Sequence, residues 1–127
     1  MGTSSYKDLK AWQRSMQLVQ EIYRITLTFP KNETFGLTSQ MRRAAISIPS
    51  NIAEGKGRST DRDFIHFLCN ARGSVLELET QLMIANGLRY ITKEQAEALM
   101  NETEQIGKML NGLIHALEKS VAAASGR

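Results

Sequence analysis

A single cysteine, Cys69, excludes an internal disulfide and fits a reducing compartment. The two histidines, His66 and His115, are too few for a histidine-built metal centre. Neither stands three residues after a glutamate, the spacing by which helical bundles present Glu-x-x-His to metals. No apolar run approaches the ~20 residues that a membrane-spanning helix needs. Residues 1–6 lack a charged start followed by an apolar stretch, and Tyr6 stands where myristoylation needs a hydroxyl side chain. The expectation is therefore a soluble, cytoplasmic chain with no membrane partner, no metal and no cofactor. In that setting the glycosylation-like triplets at Asn32 and Asn101 are chance matches.

What is present is ordinary for one globular domain: 127 residues, 42% hydrophobic and 23% charged. Leu, Ala, Glu, Gln, Lys and Met dominate the periodic stretches, and only Pro30 and Pro49 interrupt them, so helix is favoured over strand. The net charge of +3 is unevenly spread. Residues 1–58 carry nine lysines and arginines against four acids, and residues 59–127 carry seven against nine. Such polarity suits either an acidic partner such as nucleic acid or two complementary surfaces that meet in an oligomer.

Four helical stretches follow from the spacing. The first covers about 6–29, with Leu9, Trp12, Met16, Val19 and Tyr23 at steps of three and four, and Ala11, Leu18, Ile22 and Ile25 on roughly the opposite side. Pro30 stops it. The second covers about 36–54. Leu37, Met41, Ala44, Ala45, Ile48 and Ile52 share one arc, and Gly55 is placed to adopt a left-handed cap. Pro49 lies inside this pattern and removes a hydrogen bond to the Ala45 carbonyl, so it either kinks the helix or starts a separate short one.

The third helix covers about 60–88, capped by Ser59 or Thr60, with the stripe Phe64, Phe67, Leu68, Ala71, Val75, Leu78, Leu82 and Ala85. A second stripe, Ile65, Cys69, Leu76 and Met83, runs beside it. The fourth covers about 92–119, opened by Thr92 and Gln95 as a capping box and carrying Leu99, Thr103, Ile106, Leu110, Leu113 and Leu117 inward. Residues 1–5 and 121–127 are expected to be flexible. Short connections give one domain over about 6–120, an all-α antiparallel up-down four-helix bundle. The surplus stripes, read as Leu18 and Ile22 on the first helix and Ile65, Cys69, Leu76 and Met83 on the third, argue for self-association.

Catalytic patterns are missing. The run 55–60 has glycines and a lysine before a helix, but not the spacing of a phosphate loop, and it follows a helix where a strand is needed. Cys69 sits in an apolar stripe and reads as a small core residue. An enzyme is not expected.

The polar side of the second helix holds Gln40, Arg43, Ser47, Ser50, Asn51 and Glu54, flanked by Arg42. One reading is a solvated face with local contacts. A second is a structural polar network of Gln40, Ser47, Asn51 and Glu54 in which the arginines meet Glu77 or Glu79 of the third helix. A third makes Arg42, Arg43, Lys56 and Arg58 a basic surface for RNA or DNA, through backbone phosphates because no aromatics are interleaved with these cations.

The segments 40–45 (QMRRAA) and 47–55 (SIPSNIAEG), with Ala71-Arg72-Gly73-Ser74, Glu77 and Gln81-Leu82, resemble the four-helix bundle family of 23S rRNA intervening-sequence proteins. Asp8-Leu9-Lys10-Ala11-Trp12, Phe29-Pro30 and Phe35-Gly36-Leu37 extend the resemblance over most of 6–118. It implies a bacterial cytoplasmic bundle assembled as a ring-like homopentamer. A similar protein is the accessory subunit of diversity-generating retroelements, so the resemblance also implies RNA or a reverse-transcriptase nucleoprotein as partner. The alternative is a protein-interaction scaffold whose arginines are structural.

Overall fold

The computed structural model describes residues 5–126. Among them are four α-helices, α1 (Lys10–Thr26), α2 (Leu37–Lys56), α3 (Asp61–Gly87) and α4 (Lys93–Ser125), and no strand. Single turns of 3-10 helix, Tyr6–Asp8 and Lys31–Glu33, precede α1 and α2. The packed helix pairs are α1 with α2, α2 with α3, α3 with α4, and α4 with α1, which makes a four-helix bundle around one apolar core.

Three helices turn the expected residues inward. Met41, Ala44, Ala45, Ile48 and Ile52 of α2, Leu68, Ala71, Val75, Leu78, Leu82 and Ala85 of α3, and Leu99, Ile106 and Leu110 of α4 are all buried. α1 is rotated relative to expectation. Leu18 and Ile22, assigned from the sequence to an oligomer interface, are 1% and 0% exposed and belong to the core. Met16 and Tyr23 of the opposite stripe reach solvent. Both stripes are apolar enough to pack, and the one that fits between α2 and α4 carries no aromatic ring: Ala11, Leu18 and Ile22 are buried there together with Ser15 and Thr26, whose hydroxyls bond to carbonyls of their own helix. Amphipathic Trp12 and Tyr23 suit the margin, where their polar atoms stay wet.

The second stripe of α3 is divided. Ile65 and Cys69 are half-buried, whereas Leu76 and Met83 are each 59% exposed and Ile84 and Leu88 lie open beside them.

Local sequence explains the helix ends. Thr60 accepts the Asp63 N–H at 3.1 Å, and Thr92 and Gln95 exchange bonds of 3.0 and 2.9 Å. Pro49 does not divide α2, which passes through it unbroken with the ring buried. α4 does not stop near Lys119. Its alanine-rich continuation stays helical to Ser125, and residues 1–4 and 127 lie outside the described span.

Gly55 is not a left-handed cap. α2 continues through Lys56, and the cap residue Gly57 has φ −79°. Gly55 is buried against α3, where an added Cβ would lie 2.7 Å from Phe67 Cβ and 3.0 Å from Phe64 Cδ1. The glycine permits the two backbones to approach.

The left-handed residue is instead Arg89, at φ 65°. It ends α3 as a Schellman motif: the Tyr90 N–H donates to the Ala85 carbonyl at 2.9 Å and the Arg89 N–H to the Asn86 carbonyl at 3.0 Å. An L side chain is strained there, so Arg89→Gly is expected to raise stability by about 0.5–1 kcal/mol, read from the urea midpoint. A lowered midpoint would show that the arginine side chain contributes more than the strain costs.

α1 and α4 are joined by a pair that the spacing did not reveal. Arg14 forks onto Glu102, Nε to Oε1 at 2.6 Å and Nη2 to Oε2 at 2.9 Å. The hydrogen bond from Arg14 holds the Glu102 carboxyl below its ordinary value, against an upward push from burial and with a lesser contribution from the charge of Arg14. A lowered folded-state pKa means stability present above the unfolded value and lost as pH falls through the folded one. The pair is about one-third exposed, so its contribution is ~1 kcal/mol or less. Glu102→Gln should cost that amount at pH 7, and the gap to the parent should close as the pH falls below the ordinary carboxylate range and through the lowered pKa of Glu102. A gap unchanged by acid in urea titrations would show that the carboxylate charge contributes nothing.

Candidate nucleic-acid interface

The adjacent arginines of α2 point in directions about 100° apart and do different things. Arg42 turns toward α1. Its Nε donates to Thr26 Oγ1 at 2.9 Å, its Nη2 donates to the Tyr23 carbonyl at 3.3 Å, and the guanidinium lies 4.4 Å from the Tyr23 ring centre. The last turn of α1 has carbonyls without helical partners and the negative end of the helix dipole, so a cation there ties the two helices together. Arg42 thereby has a structural role, with its guanidinium engaged by α1.

Arg43 is exposed and makes no hydrogen bond or ion pair with the described residues. It lines a groove of about 550 Å³ between α2 and α3, together with Phe35, Ser39, Gln40, Ala44, Ser47 and Glu77. Glu77 lines the same groove and does not pair with Arg43. The expected partnership with Glu79 does not form either, because Glu79 Oε2 accepts from Thr103 Oγ1 at 2.8 Å on the α4 side.

The polar network is smaller than the sequence suggested. Asn51 Nδ2 donates to the Ser47 carbonyl at 2.8 Å and to Ser47 Oγ at 2.9 Å. Ser74 of α3 completes it, with its Oγ 2.9 Å from Ser47 Oγ. Gln40 and Glu77 remain at the open groove, and Glu54 pairs with Arg58 at 2.9 Å along its own chain segment.

Lys56 and Arg58 stand at the turn from α2 to α3. Lys56 Nζ lies 5.9 Å from the centre of Phe64, and the Arg58 guanidinium 4.7 Å from Phe67. Aromatics that are not interleaved with these cations in the sequence are supplied by α3 in the fold.

Among the described residues no three His, Cys, Asp or Glu side chains converge as a metal site would require. Cys69 Sγ has Arg72 Nη2 at 3.7 Å, and His66 is exposed with its ring edge on Phe67. A second groove, about 670 Å³ between α1 and α4, contains Glu21 and Glu102, both already paired with Arg24 and Arg14. No helix is long and apolar enough to cross a membrane among the described residues.

The model of the 23S rRNA-intervening sequence protein family matches residues 7–112, a span that takes in all of α1 to α3 and most of α4. The chain belongs to this family. A solved structure of a protein of unknown function from the S23 ribosomal protein family of Bacteroides thetaiotaomicron superposes with a TM-score of 0.76 at 27% identity. The match covers 83% of this chain and 95% of that one. No protein with a curated description matches.

Two placed residues of this family member escaped the reading of the sequence. Glu33 Oε1 accepts the Leu37 N–H at 3.1 Å, capping α2, while its Oε2 accepts from the Tyr90 hydroxyl at 2.9 Å. That hydrogen bond to a carboxylate, with some desolvation, pushes the Tyr90 phenol above its ordinary value. Ser74 and Phe35 were both quoted within motifs but given no role, and Phe35 is 96% exposed at the mouth of the Arg43 groove. A lone phenylalanine in the polar run 31–36 was the available signal.

Proposed function

We propose that this family member is a non-enzymatic four-helix bundle of up-down topology. It self-associates into a ring-like homo-oligomer, taken as a pentamer, and contacts RNA or a nucleoprotein through Arg43, Lys56 and Arg58. The observation that carries the reading is the unpaired guanidinium of Arg43, exposed in a polar groove on the basic half of the chain. Arginine there can take phosphate as a fork, and repetition around a ring multiplies a modest contact.

Titration with single-stranded RNA at low salt tests it. Binding is expected to weaken steeply with added salt, and Arg43→Ala with Lys56→Ala should weaken it about tenfold and flatten the salt slope. Arg42→Ala should instead lower stability, because its contacts are to α1. Absence of RNA binding, or binding indifferent to salt and to the Arg43 and Lys56 substitutions, would overturn the reading. The protein-interaction scaffold is the second reading, favoured by the exposed Leu76 and Met83 and by the structural use of Arg42.

A further inference from the structure

The groove between α2 and α3 combines three features that no internal contact uses. Phe35 stands almost wholly in water at its mouth, Arg43 is unpaired, and the Glu77 carboxylate has no partner among the described residues. Phe35 is not there for want of a core: Phe29, six residues earlier on the same connection, is buried against Tyr90 with ring centres 5.2 Å apart. The turn that carries Phe35 is also fixed. Glu33 clamps it from both sides, to the Leu37 N–H of α2 and to the Tyr90 hydroxyl of the α3–α4 connection. An exposed ring on a pinned backbone is a preorganised stacking platform.

We infer that this groove binds one unpaired guanine base of RNA. Phe35 stacks on the base, Glu77 accepts hydrogen bonds from its Watson–Crick edge, and Arg43 contacts the adjoining phosphate. The base follows from the chemistry of the carboxylate, which only accepts hydrogen bonds. Guanine alone presents two adjacent donors, N1–H and N2–H, in a fork that matches two carboxylate oxygens. Adenine and cytosine set a ring nitrogen acceptor beside their amino group, and uracil flanks its single N–H with carbonyls.

Unpaired RNA bases are recognised by this combination of stacking and edge contacts. A protein anchor fits less well, because Ala44 is the one apolar residue among Ser39, Gln40, Ala44 and Ser47, which line the rest of the groove. The charge also fits, since the groove opens beside an arginine on the half of the chain with a +5 balance.

The inference rests on the RNA-binding reading above, and the test separates the two. Fluorescence anisotropy would compare labelled oligouridylates carrying one central guanosine or one central adenosine, at low salt. The guanosine probe should bind about tenfold more tightly. Glu77→Gln should bring the two probes to within about twofold, because an amide offers one acceptor where the carboxylate offers two. Phe35→Ala should weaken the guanosine probe about tenfold, with an unchanged circular dichroism spectrum. Equal binding of both probes by the parent protein, or a guanosine preference that survives Glu77→Gln, would overturn the guanine site and leave the RNA reading standing. Failure of both probes to bind would overturn both. Loss of oligomeric mass in Phe35→Ala with probe affinity intact would make the groove a contact between copies and also overturn the site.

Discussion

Gly55→Ala is expected to destabilise the bundle by about 1–3 kcal/mol, although alanine in place of a helical glycine normally stabilises by ~1 kcal/mol. The reversal comes from packing. The new methyl group would sit 2.7 Å from Phe67 Cβ and 3.3 Å from the Phe64 carbonyl oxygen. Neither is the free end of a side chain that can swing away; both are fixed to the backbone of α3. Relief requires α2 and α3 to part at the end where their connection is shortest, which would loosen Ile52 and Phe64 together.

Two controls fix the sign. Gly73 in α3 and Gly107 in α4 have nothing within 4 Å of an added Cβ, so alanine at either should stabilise by about 0.5–1 kcal/mol. Urea unfolding of the three variants therefore predicts one loss and two gains. A Gly55→Ala protein as stable as its parent would mean that the α2–α3 approach is not constrained by contact.

Leu76→Glu combined with Met83→Glu is expected to reduce the proposed oligomer to monomers while leaving the helices folded. Both side chains lie on the outer side of α3 and are more than half exposed. Charges there cost little in a monomer, but in an apolar interface they would be desolvated without partners. Light scattering reads the mass, and circular dichroism reads the fold. Leu18→Ala should do the reverse, costing about 2–5 kcal/mol of folding stability because it opens a cavity in the core. An unchanged mass after the double substitution would remove this face of α3 from the assembly.

The difference between Leu18 and Leu76 shows where the reading of the sequence stopped. Both belong to surplus apolar stripes at helical spacing, and periodicity assigned both to an interface. One lies in the core and the other in water. A helix that is apolar on two sides does not say which side its neighbours will occupy, since that depends on the shapes α2 and α4 present to it. Gly55 is a similar case. Glycine after a helical stretch commonly marks a left-handed end, and the feature that made it necessary here, the Cβ of Phe67, lies twelve residues away in sequence. Arg89, by contrast, took the left-handed position with no residue preference to announce it.

The candidate site divides along the same line. Arg42 and Arg43 are indistinguishable as a sequence pair. Their roles separate once α1 brings Thr26 and the Tyr23 carbonyl within reach of one of them and the other is left at a groove with Glu77. The aromatics that accompany Lys56 and Arg58 come from α3, and the serine that completes the Ser47–Asn51 network comes from α3 as well.

The sequence by itself determined the all-helical class, the four helices and the Thr92 cap of the last, most of the core, and the family, because each is written in short-range spacing and residue preference. The tertiary structure alone decided which stripe of α1 is inside, why Gly55 must be glycine, which arginine is free, and that Phe35 stands beside it. Those are contacts between residues far apart in the chain, and no local periodicity encodes them.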